Sequence, residues 1–158
     1  MNKKHLVILC MMLITCTLFG CTTQKKNPIG EESTYTTVNN FENAQLSIVE
    51  GSVTPESITL EFTYSGENEL YTGERYYIEI MKDDKWHAIE DCLPENSIVP
   101  DIAYTAENGR PLIKEYDFTK KYYPLSKGQY RIVVDVSEHD GTIGPDKEYI
   151  LATEFEIK

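Results

Sequence analysis

Cys21 stands at the seam of "LITCTLFGCTTQKK", residues 13–26, where an apolar run gives way to a polar stretch. A thiol in that setting has three uses: a buried core group, half of a disulfide, or a site of covalent attachment. Other residues have types that do chemistry. His87, Glu90 and Cys92 are metal-ligand types close in sequence. On a strand, however, residues three apart face opposite sides, and one cysteine falls short of a converging zinc set. They read as a surface histidine and an inert thiol. Asp135, Glu138, His139, Asp140, Asp146 and Glu148 crowd one loop. Calcium takes about six to eight oxygens, but the acid-x-acid-x-acid-Gly run of an EF-hand loop is absent. A solvated acidic loop is the expectation. The nucleophile–base–orienter sets of hydrolases need a histidine near a nucleophile. His87 and His139 lie in no such motif, and there is no Gly-x-Ser-x-Gly elbow, so no catalytic residue, metal ligand or cofactor is assigned. Tyr122 and Tyr123, ahead of Pro124, are the candidate contact pair. Tyrosine offers large contact area at low rotamer cost, and of two strand neighbours at most one faces a core.

The start of the chain decides among the three uses of Cys21. Lys3 and Lys4 are followed by the apolar run Leu6 to Phe19 and by the small Gly20. That is the order of a secretory signal: basic start, apolar middle, small-residue exit. The run is shorter than the ~20 residues that span a bilayer. Leu18-Phe19-Gly20-Cys21 resembles a bacterial lipobox, although Phe19 is larger than the residue usual at its position. The resemblance implies that Cys21 receives a diacylglycerol thioether and that residues 1–20 are removed. The protein would then be lipid-anchored on the extracytoplasmic face of the cell membrane. Two or more acyl chains hold a protein there stably, where one holds it marginally.

Removal of residues 1–20 takes away Lys3 and Lys4, leaving 13 basic against 26 acidic residues, a net charge of −13 with histidine neutral. Such a chain is repelled by nucleic acid, which excludes it as a partner, and by anionic headgroups. Cys10 and Cys16 leave with the signal and Cys21 is acylated, so Cys92 has no intramolecular partner. A domain without disulfides relies on its apolar core, and about 115 residues can build one. Three regions are expected: a signal peptide, residues 1–20; the acylated cysteine with a flexible tether, residues 21–43; and a folded domain, residues 44–158. A coil of about 20 residues would span roughly 25 Å and lift the domain off the membrane.

What must position any site is read from the periodicity after residue 44. Leu46 and Ile48, then Ile58, Leu60, Phe62 and Tyr64, alternate with polar residues. Further period-two segments run over 74–81, 86–89, 112–118, 130–136 and 149–157, and a short one is expected within 98–104. Turn residues separate them, and no helical stripe follows the signal. The pattern predicts an all-β, antiparallel sandwich of about seven strands.

"PLSKGQYRIVV", residues 124–134, resembles the approach to the sixth strand of immunoglobulin-like domains, where Leu125, Gly128 and Tyr130 match a tyrosine corner. Trp86 is a candidate core plug, placed later than the tryptophan of those domains. The order of segments from Gln45 to Lys158 is similar to a family of bacterial immunoglobulin-like domains found on lipoproteins and other bacterial surface proteins. The resemblance implies a β-sandwich without catalytic activity. The expected function is a membrane-anchored binding or spacer module whose partner is a protein or a cell-wall ligand. The alternatives are a calcium-dependent adhesion module and a secreted enzyme subunit.

Overall fold

A computed structural model describes residues 25–92, 100, 102–141 and 146–158. Leu18, Phe19, Gly20 and Cys21 lie outside the described residues. Among those described, nine strands form: β1 (Ile29–Glu32), β2 (Ala44–Ile48), β3 (Ser57–Tyr64), β4 (Glu69–Lys82), β5 (Lys85–Ile89), β6 (Tyr104–Ala106), β7 (Leu112–Asp117), β8 (Gly128–His139) and β9 (Lys147–Ile157). One sheet has the order β1-β5-β4-β8-β9, with β6 also paired to β4, and the other has the order β2-β3-β7. Every pairing between these strands is antiparallel. Two such sheets packed face to face make a sandwich, as the periodicity predicts, of the immunoglobulin-like kind that the resemblance implies.

Alternation puts the apolar residues between the sheets. Ile58, Leu60 and Phe62 of β3 face Ile78 of β4, Ile132 and Val134 of β8, and Leu151 of β9 across the core. Each is at most 1 % exposed. Such a side chain stabilises the fold by about 1.5–3 kcal/mol relative to an exposed one, so this layer dominates the stability. The strand expected from residue 74 begins earlier, at Glu69. It is continuous because it absorbs a bulge: Gly73, Glu74 and Arg75 stand opposite the single residue Asp135 between the Thr72–Val136 and Tyr76–Val134 pairs. Gly73 marks the irregularity. Of the strand expected within 98–104, residues 98, 99 and 101 lie outside the described residues, 100, 102 and 103 are not in a strand, and β6 begins only at Tyr104.

The segment expected to be a flexible tether is, over residues 25–43, part of the fold. β1 adds to the free side of β5, pairing Ile29 with Ile89 and Glu32 with His87. The Ser33 N–H continues the pairing to the Trp86 carbonyl at 2.8 Å. The chain then crosses the outer face of the larger sheet to β9. There Asn39 Nδ2 donates to the Ala152 carbonyl (3.1 Å) and its Oδ1 accepts from the Ala152 N–H (2.9 Å). Asn40 Oδ1 accepts from the Ile150 N–H at 3.0 Å. Asn39 holds φ 55°, a left-handed conformation that asparagine tolerates. The crossing ends at Phe41, 9 % exposed, which stacks on Tyr149 with ring centroids 3.9 Å apart. Polar composition hides this attachment because backbone and amide groups make it.

Candidate functional site

Under the crossing segment lies a buried ion pair on the outer face. Glu79 of β4 and Arg131 of β8 stand opposite each other in register. Their side chains are 2 % and 8 % exposed and joined through Arg131 Nε. Arg131 Nη2 also donates to Ser33 Oγ and to the Tyr35 carbonyl, each at 3.2 Å. The Trp86 ring covers the guanidinium, 4.8 Å from its centroid. Trp86 is thus no core plug: it faces outward on β5, because its cross-strand partner Met81 belongs to the outer face of β4. Val133, fully buried, and Ala152 complete this second, smaller packed layer.

The tyrosine corner forms as its residues imply. Tyr130 is 1 % exposed, and its hydroxyl donates to the Ser126 carbonyl at 2.8 Å. A Cβ on Gly128 would stand 3.2 Å from the Tyr130 ring, so glycine there admits the ring.

The candidate contact pair separates. Tyr122 is only 4 % exposed and packs edge-on against Tyr76, so it is core and not a contact residue. Burial pushes its hydroxyl well above the ordinary tyrosine range. Tyr123 points the other way and is half-buried. Asn27 fastens it: Oδ1 accepts from the Tyr123 N–H at 2.7 Å and Nδ2 donates to its carbonyl at 2.8 Å. Lys25 Nζ stands 5.4 Å from the Tyr123 ring centroid. Asn27, like Asn39, acts through its side-chain amide as a strand residue would through its backbone. The only trace of this in the sequence is the Asn-Pro-Ile-Gly break. Next to this clamp, the Lys121 ammonium donates to the Tyr76 carbonyl at 2.9 Å and lies over the Tyr76 and Tyr77 rings. Burial lowers its pKa, with Asp91 opposing.

His87 Nδ1 faces the Gly30 carbonyl at 3.4 Å, and Cys92 is exposed and unpaired among the described residues. Among those residues no three His, Cys, Asp or Glu side chains gather to hold a metal. His139 of the acidic loop pairs with Asp146 at 2.8 Å, and residues 142–145 lie outside the described residues.

Two further polar assemblies flank the β4 bulge, and neither is legible in the sequence. Towards β7, Glu74 accepts from Lys114 at 3.0 Å and from the Tyr104 hydroxyl. The Lys114 ammonium lies 4.0 Å from the Tyr104 ring centroid and 4.7 Å from that of Tyr116. The Tyr104 hydrogen bond, then Lys114, holds the Glu74 carboxyl below the usual range. Towards the outer face, the bulge borders a groove of 580 Å³ lined by Tyr71, Arg75, Ile102, Asp135, Ser137 and Glu148 among others. Burial raises the Asp135 pKa, Arg75 opposes this, and Glu148 adds to it. One ring, one guanidinium and the carboxylates of Glu74, Asp135 and Glu148 suit hydrogen-bonded contact with a polar ligand or peptide.

A family model described as a bacterial Ig-like domain matches residues 40–156. The match begins where the crossing segment reaches the core and leaves out β1. No curated protein and no solved structure matches the chain.

Proposed function

The chain belongs to the bacterial Ig-like domain family, and from that premise we propose that it is a lipid-anchored module displayed on the extracytoplasmic face of the membrane. Domains of this kind serve as binding or structural units, and the family is typically non-catalytic. The anchor reading rests on one observation: the basic start, the apolar run and Leu18-Phe19-Gly20-Cys21 stand in the order of a lipoprotein signal. Cys21 carries the acyl groups, and residues 1–20 are removed. Only residues 22–24 then separate the acylated cysteine from Lys25, whose ammonium stands over the Tyr123 ring. Four peptide steps reach at most ~14 Å, so the sandwich stands close to the bilayer. The outer-face groove at Tyr71, Arg75 and Asp135 is the surface that meets a protein or cell-wall ligand.

Metabolic labelling with an alkyne fatty acid tests the anchor. The wild-type chain takes label and Cys21→Ala takes none. An unlabelled wild type, or label that persists on Cys21→Ala, overturns the reading. Cosedimentation with isolated cell walls, compared between wild type and Asp135→Ala/Arg75→Ala, tests the groove.

A further inference from the structure

Resting on the anchored reading, we infer that the lysine-rich end of the sandwich docks on anionic phospholipid headgroups, so that the module stands on the bilayer in one orientation. Lys25, Lys26, Lys120 and Lys127 are exposed at that end. The segments bearing them, 25–30 and 118–128, contain no acidic residue. They form one surface. Asn27 grips the backbone of Tyr123 with both amide atoms, Lys25 stands over the Tyr123 ring, and the Cys92 N–H donates to the Lys121 carbonyl at 2.6 Å. A recess of 200 Å³ lies between Lys25, Lys26, Pro124 and Ser126, with Ile80 and Ile89 among its walls. Among the described residues, five acids adjoin this surface: the Glu90 N–H meets the Pro28 carbonyl and the Glu56 carbonyl accepts from the Phe118 N–H, Asp91 acts on Lys121, Asp117 caps Thr119, and Glu74 feels Lys120.

The other end of the molecule is different. The antiparallel register brings Glu69 beside His139, and residues 67–69, 107–108 and 139–141 line one recess there. Glu67, Glu69, Glu107, Glu138 and Asp146 gather there against Arg110 and Lys147. The net charge of −13 alone predicts repulsion from an anionic membrane. Its distribution converts that repulsion into a torque, with lysines drawn down and the acidic end pushed away. Such attraction acts within a Debye length of about 8–10 Å. An anchor at most ~14 Å of chain from Lys25 keeps the lysines near that range.

Cys92 reports the orientation. The acylated full chain, purified from membranes, is placed in vesicles of phosphatidylcholine with or without phosphatidylglycerol. Flotation reads attachment, and the rate of Cys92 modification by an uncharged polyethylene-glycol maleimide reads orientation. The expected result is a several-fold slower reaction of Cys92 on phosphatidylglycerol vesicles than on pure phosphatidylcholine. The rate is restored by high salt and by Lys25→Glu/Lys26→Glu/Lys127→Glu. A distal thiol, Glu67→Cys in a Cys92→Ser background, reacts equally on both. Flotation with equal Cys92 rates on the two compositions overturns the orientation and leaves the anchor standing. Absence of flotation overturns the anchor and this inference with it.

Discussion

Tyr130 and Arg131 are neighbours in the chain and serve opposite faces of the larger sheet. Tyr130 turns inward and ties its hydroxyl to the Ser126 carbonyl four residues back. Tyr130→Phe keeps the ring and loses that bond, and urea unfolding should show a loss of about 1 kcal/mol. Arg131 turns outward into the ion pair with Glu79 under the crossing segment. Removing one charge leaves the other buried and unpaired, so Arg131→Ala should cost about 3–5 kcal/mol. Arg131→Met with Glu79→Leu removes both charges and should cost clearly less, which separates the unpaired charge from lost packing. His139 supplies a pH-dependent contact. Its hydrogen bond to Asp146 raises its pKa from the ordinary 6.5, while desolvation opposes. A raised folded-state value means the stabilisation is fully present below 6.5 and is lost as pH rises through the folded value. The wild-type urea midpoint should therefore fall relative to that of His139→Gln as pH rises from about 6 to 9, a window set by the histidine range.

At the scale of elements, β1 and the crossing segment change what the N-terminal region is. β1 covers the free side of β5, and Asn39 and Asn40 cover β9 at Ile150 and Ala152. Both are sheet edges that would otherwise present unpaired backbone groups. Asn39→Ala removes two hydrogen bonds to Ala152 and forces a Cβ-bearing residue without a compensating amide to hold φ 55°. It should cost about 1–3 kcal/mol, and amide exchange at Ala152 should quicken more than at Ile132. A chain beginning at residue 44 should melt below one beginning at residue 25, because it loses Phe41 and exposes Arg131 and Glu79. Equal melting temperatures would show that the crossing segment adds nothing to the fold.

At the scale of the whole molecule, charge also bears on self-association. Below the asparagine caps, β9 pairs with β8 on one side, and residues 153–157 have no strand on the other among those described. Glu154 and Glu156 sit along that open stretch, where charge discourages edge-to-edge pairing. Glu154→Val/Glu156→Val should self-associate in sedimentation velocity at concentrations where the wild type is monodisperse, with stability little changed.

Much of the sandwich is legible in the amino-acid sequence. Period-two alternation at Ile58–Tyr64, Tyr130–Val136 and Tyr149–Ile157 names core faces directly, because side-chain direction on a strand is local. The tyrosine corner is legible for the same reason: its partners lie within four residues of each other. The lipobox-like stretch is likewise a local pattern that needs no fold to be read. Tertiary structure decided what depends on distant segments meeting. It placed Asn27 on Tyr123 and Asn39 on Ala152, making a fastened segment of what reads as a polar linker. It sent Tyr122 to the core and Trp86 to the outer face, and it collected lysines from the two ends of this surface, 25–26 and 120–127. Composition and spacing cannot supply these, because a hydrogen bond across about a hundred residues leaves no local periodicity in the chain.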